Sequence, residues 1–159
     1  MDTCLFDYLN QWKWYAQLKY SRNYPVYYAR RWARVEEARD NGKNSIIMLH
    51  RQIFMWAGIE AEVIDHANGD RLDNRLTNLR PATCSQNNRN RQISARNTSG
   101  YKGVSWYERH KKWQAVIYIN SKPVHLGYFS TPEKAAIIYN QAALKHYGDF
   151  AWLNKVATL

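Results

Sequence analysis

The sequence predicts an α+β protein built from two small modules, and three observations carry that expectation. Short β-prone runs alternate with amphipathic stretches, a polar basic segment in the middle lacks apolar anchors, and 159 residues leave each half only a modest core. The expected layout is an aromatic-rich β meander over residues 1–45, a mixed module of extended and helical segments over 46–92, a linker over 93–100, and a three-stranded antiparallel sheet packed on one helix over 101–154.

The meander is read from Trp12, Trp14, Tyr15, Tyr24, Tyr27, Tyr28 and Trp32, set in short runs between polar turns at Ser21 to Asn23 and Asp40 to Lys43. Rings in such runs belong to a core more often than to a ligand surface. From Ser45 the chain starts extended at Ile46 and Ile47 and turns helical around Met48, with Ile53, Phe54 and Trp56 as the apolar face and Gly58 as the stop. His50 on this helix reads as structural or exposed.

A β-like run over Glu62 to Asp65, the turn Asn68-Gly69-Asp70, and a loop with leucines at 72, 76 and 79 lead to a helix after Pro81. Thr83 and Gln86 fit a Thr-x-x-Gln capping box at its start. The polar stretch Asn90 to Gly100 is the tether. Beyond it, Tyr101 to Trp106, Trp113 to Ile119 and Val124 to Phe129 are strands, broken at Glu108 to Lys112 and Asn120 to Pro123. Ser130 or Thr131 can cap a final helix with Pro132 and Glu133 in its first turn and Gly148 at its end. Ala135, Ala136, Tyr139, Ala142, Ala143 and His146 would form its inner face.

The formal charge is +10, and its placement says more than its size. Asn74 to Lys122 holds ten Lys or Arg and one acid, Glu108, while the rest of the chain is nearly balanced. Such a stretch suits a polyanion, because bound Lys and Arg replace the cations condensed on phosphates. A solvated basic loop is the plainer reading, and charge alone does not separate nucleic acid from an anionic membrane. No run of eighteen apolar residues occurs, and Met1 to Tyr8 lacks the pattern of a signal peptide, so a soluble, cytoplasmic protein is expected. Cys4 and Cys84 stand alone, without the spacing of a zinc knuckle or a disulfide framework.

The central clue is Val63-Ile64-Asp65-His66-Ala67-Asn68-Gly69-Asp70, then Asn74, then Asn78-Leu79-Arg80, then Gln86-Asn87-Asn88. Over residues 46–92 this resembles the ββα-metal motif of HNH nucleases, in the branch of phage and intron-associated homing endonucleases. The resemblance implies that His66 is the general base, Asp65 and Asn87 the metal ligands, and Asn78 the residue that pins the intervening loop. Many relatives carry His at the position of Asn87. An amide oxygen suits magnesium or manganese and argues against zinc.

The residue types fit the chemistry. Phosphodiester hydrolysis needs a base titrating near neutrality and positive charge where the leaving oxygen gains negative charge. Adjacent strand residues point to opposite faces, so Asp65 and His66 require the strand to end or kink here. The competing reading is a polar hairpin whose Asp, His and Asn are turn formers.

Tyr101-Lys102-Gly103-Val104, Lys112-Trp113-Gln114-Ala115, His125-Leu126-Gly127-Tyr128-Phe129 and Thr131 to Ala136 resemble the apetala-two (ethylene-response-factor) type DNA-binding domain, over about Thr98 to Asn154. The resemblance implies that Lys102, Ser105, Tyr107, Val116, Tyr118 and His125 face DNA, although most arginines that read guanine edges in that family are missing here. Lys102, with Arg109, Lys111 and Lys112 in the first hairpin, is expected at phosphates, and Arg75, Arg80, Arg89 and Arg91 around the nuclease motif are further expected DNA contacts. The whole implies a metal-dependent endonuclease that acts on double-stranded DNA as a monomer. A DNA-binding regulator with a relic motif is the alternative, and an RNA-binding module a third.

Overall fold

A computed structural model describes residues 3–21, 24–34, 37, 46–94 and 96–156. The expected turn at Asp40 to Lys43, most of that at Ser21 to Asn23, and Ala95 of the tether lie outside the described residues. The architecture mixes helices with three antiparallel sheets, in two compact units, 1–84 and 85–159.

The first unit opens on a helix, α1 (Thr3–Asn10), where a pure β meander was expected. Leu5 and Leu9 lie one helical turn apart and are both fully buried, and this pair outweighs the β preference of the neighbouring aromatics. Strands β1 (Tyr15–Ser21) and β2 (Tyr24–Trp32) then form a hairpin with Tyr15 opposite Arg30, and β3 (Ile46–Met48) adds to β2 with Ile47 opposite Arg31. The rings divide: Trp12 and Trp14 are half-buried, whereas Tyr27 and Trp32 are exposed. Between them Arg31 is buried, stacked 4.4 Å from the Trp12 ring, paired with Glu37 through two 2.6 Å hydrogen bonds and donating to Gln52.

Helix α2 (Leu49–Trp56) follows β3 directly and buries Ile53 and Phe54 against Leu5, Leu9, Ile64 and Leu79. Ile64 and Leu79 come from β4 (Val63–His66) and β5 (Leu79–Ala82), an antiparallel pair with Asp65 opposite Arg80 and His66 opposite Leu79. One apolar residue from each strand anchors this hairpin to the core and leaves its polar positions for the site. A short helix, α3 (Cys84–Arg89), follows and falls almost wholly in the second unit.

In that unit β6 (Val104–Tyr107), β7 (Lys112–Ile119) and β8 (Lys122–Phe129) form a sheet in that order. Strand β8 starts earlier than expected and includes Pro123, which is tolerated because β8 is an edge strand. Asn120 and Ser121, at φ 50° and 63°, make the two-residue turn before it. Helix α4 (Pro132–Tyr147) is capped by the Thr131 hydroxyl, which accepts from the Lys134 amide. Its buried face is Ala135, Ala136, Tyr139 and Ala143. His146 is exposed and Tyr147 takes the next inward position, four residues after Ala143. The small residues let α4 approach the sheet so closely that a Cβ at Gly103 would lie 2.1 Å from the Tyr139 ring.

Around the expected linker several described residues are hydrogen-bonded. Asn97 and Ser99 donate to the Tyr101 carbonyl, and the Lys102 ammonium donates to the carbonyls of Arg89 and Arg91 at 2.5 and 2.8 Å.

Candidate functional site

Strand β4 ends at His66, and the next residues turn sharply because Ala67 N–H donates to the Asn78 carbonyl and Gly69, at φ 75°, donates to the His66 carbonyl. Asp65 and His66 are 4% and 5% exposed, a burial that polar groups accept only when they are partnered. The Asp65 carboxylate faces across the hairpin to Arg80, whose Nε and Nη2 both donate to Oδ2, at 2.9 and 2.7 Å. The His66 ring lies elsewhere: its Nε2 is 3.3 Å from Asn74 Oδ1, and its ring meets that of His50 edge-on at 5.3 Å.

Burial pushes the His66 pKa down, opposed by the Asn74 hydrogen bond and by the Asp65 charge, so the ring is neutral near pH 7. Burial, then the neighbouring His66 and Arg51, lowers His50 to about 4. The sequence reading left His50 out of the site. Helical periodicity carries no signal for it, since only the packing of α2 against the β4 end brings the two rings together.

Asn78 sits under the loop. Its Oδ1 accepts from the Asn68 amide at 2.9 Å, and its Nδ2 donates to the Asp73 carbonyl at 2.7 Å. Asp73 in turn holds Arg75 through two hydrogen bonds of 2.8 and 2.7 Å, and accepts from Asn68 Nδ2. Arg75 and Arg80, both expected to contact DNA, thus each have a carboxylate partner.

Asn87 lies half-buried on α3 in the second unit. Among the described residues there is no group of three or more His, Cys, Asp or Glu side chains placed to hold a metal. The donor types expected here, the carboxylate of Asp65 and the amide of Asn87, are hard oxygen ligands of the kind that magnesium and manganese take, and the Asp65 carboxylate is paired with Arg80.

In the second unit the inward positions Val104, Ala115 and Ile117 pack on α4. Alternation then turns Ser105, Tyr107, Gln114, Val116 and Tyr118 to the opposite face, with His125 beside Val116. Tyr128 gathers Tyr107, His110 and His125 around its ring at 5.2, 4.5 and 4.4 Å, a cluster in which the sequence reading had only Tyr107 and His125. Arg109, Lys111 and Lys112 are exposed at the β6–β7 turn, where Lys111 pairs with Glu108. Lys102 departs from the rest: its ammonium faces the end of α3, and burial lowers its pKa to about 8. Arg89 stacks 4.9 Å from the Tyr147 ring, and Arg91 donates to Asn88.

A profile of the HNH endonuclease family matches residues 48–89, which include the β4 end, its loop and α3. An uncharacterised HNH endonuclease of Acanthamoeba polyphaga mimivirus is 31% identical over 153 residues, covering 93% of this chain and 70% of that protein. The chain belongs to the HNH endonuclease family. Protein 3.8 of Escherichia phage T7 is 31% identical over 106 residues, 64% of this chain and 87% of its own length. The AP2-like ethylene-responsive transcription factor AIL5 of Arabidopsis thaliana is 43% identical over 56 residues, 34% of this chain and 10% of that protein. No solved structure matches. No helix among the described residues is long and apolar enough to cross a membrane.

Proposed function

We propose that the chain is a homing-type endonuclease that hydrolyses a phosphodiester bond of double-stranded DNA with the help of magnesium or manganese. The observation that carries this reading is the end of β4, where a carboxylate and an imidazole are buried side by side in sequence, with Asn78 holding the loop beneath them. His66 acts as the general base, taking a proton from the attacking water. Asp65 and Asn87 would hold the divalent ion, which when bound supplies positive charge at the leaving oxygen. Asn78 keeps the His66 loop in place.

The second unit serves as a DNA anchor of the apetala-two kind, with Ser105, Tyr107, Tyr118 and His125 on its open face and Arg109, Lys111 and Lys112 at phosphates. Lys102 fits better as the group that holds Arg89 and Arg91 in position than as a phosphate contact. The working place is the cytoplasm of a bacterial or phage-infected cell, and one copy, with one such site, nicks a single strand first.

Incubating the purified chain with long duplex DNA, with magnesium or with chelator, tests the reading. Cleavage should need the metal and should fall at least about a hundredfold in His66→Ala. Equal cleavage by His66→Ala would remove the site, and DNA binding without any cutting would favour the regulator.

A further inference from the structure

The His66 ring has a partner to which the motif gives no role. Asn74 is 4% exposed, and its Nδ2 donates to the Leu72 carbonyl at 2.9 Å and the Arg71 carbonyl at 3.4 Å. Carbonyl oxygens only accept, so the amide's NH2 end must point at them, and Oδ1 is the end left for His66 Nε2 at 3.3 Å. An amide oxygen also only accepts. Nε2 must therefore carry the hydrogen, and a neutral imidazole with its hydrogen on Nε2 has its lone pair on Nδ1.

We infer that Asn74 is a positioning residue that fixes the orientation and tautomer of the His66 ring, placing the hydrogen on Nε2 and making Nδ1 the basic nitrogen of the ring. This rests on the reading of His66 as the general base. Turning the ring over would set a carbon against Oδ1 and lose the bond. At 3.3 Å the bond is at the long end of the N–H···O range, so its role is to select an orientation more than to stabilise the fold.

The loop is built to hold that amide still. The Asn74 backbone N–H donates to Leu72 O at 3.1 Å, and its neighbour Asp73 is held by Asn68, Arg75 and Asn78. The pin at Asn78 and the acceptor at Asn74 thus belong to one device: the first fixes the loop and the second transmits that position to the ring.

The test is two-bond proton–nitrogen NMR of the full chain carrying nitrogen-15 histidine, recorded where His66 is neutral. The wild-type ring should show a single tautomer with hydrogen on Nε2. Asn74→Leu, which fills the same space without an acceptor, should move the ring to the mixed tautomers of an unrestrained imidazole, and Asn74→Asp, which keeps an acceptor, should retain the single form. Single-turnover cleavage of duplex DNA by Asn74→Leu should fall about a hundredfold, with DNA affinity unchanged. A wild-type ring with hydrogen on Nδ1, or one already mixed, would overturn the inference even if no variant folds. So would an Asn74→Leu ring identical to wild type, or a mixed ring in Asn74→Asp. The spectra decide the tautomer whether or not the protein cuts DNA, so failure of the endonuclease reading is seen separately, as absence of cleavage by the wild type.

Discussion

Replacing Asn78 by Ala removes both ends of the loop pin and leaves the backbone otherwise intact, which makes it a sharp test of how the site is held. The Asn68 amide loses its acceptor at 2.9 Å and the Asp73 carbonyl its donor at 2.7 Å, in a side chain that is 7% exposed. Leaving such a group unpaired costs about 1–3 kcal/mol, so the hydrogen-exchange protection of the Asn68 amide should fall roughly 5- to 150-fold. The Ala67 amide is an internal control, because its acceptor is the Asn78 backbone carbonyl, which the substitution keeps. Asn78→Asp separates the two ends: it can still accept from Asn68 but sets a carboxylate oxygen against the Asp73 carbonyl. It should therefore protect the Asn68 amide better than Ala does while cutting DNA no faster. Wild-type protection at Asn68 in Asn78→Ala, measured by amide exchange on the full chain, would refute the idea that this side chain holds the loop.

His50 has its pKa lowered from 6.5 to about 4, so the unfolded chain binds a proton there that the folded chain refuses, and stability should fall as pH drops from about 6.5 to about 4. The His50 part of the loss approaches about 3 kcal/mol and should disappear in His50→Phe, as read from denaturant midpoints, leaving in the same window the contribution of His66, which burial also lowers; Glu37, lowered from 4.5 to about 2 by Arg31, adds its own loss from about pH 4.5 downward. Gly103→Ala places a Cβ 2.1 Å from the Tyr139 ring and 2.8 Å from the Val116 carbonyl at φ +74°, and should destabilise the β6–β8 sheet by at least about 3 kcal/mol, seen as lost amide protection there. Lys112→Ala should flatten the salt dependence of DNA binding by about one unit of slope, whereas Lys102→Met should leave the slope alone and loosen the amides of residues 89–91; equal slopes for the two variants would contradict the assignment.

The site was legible where its logic is local. Asp65, His66 and Asn78 lie within fourteen positions of one another, and their order in sequence is close to their order around the hairpin. Asn74 stood in the same motif without a role, because only the return of the loop through Asp73 and Asn78 sets its amide against the imidazole. His50 was invisible for the same reason at longer range. The C-terminal strands could be read from their alternation, but Pro123 hid the start of β8, since sequence alone does not say which strand is at an edge. Helix α1 was missed because its apolar pair, Leu5 and Leu9, is a short signal beside so many rings.

The pairing of Asp65 with Arg80 bears on how the protein is assembled. A lone buried carboxylate would have to wait for an external cation before β4 and β5 could close, and chelation would then unfold the hairpin. Here the facing strand brings its own counter-charge, delivered by the same register that zips the two strands together. Folding of this hairpin thereby needs no external cation: the two strands and their charges close together in one step.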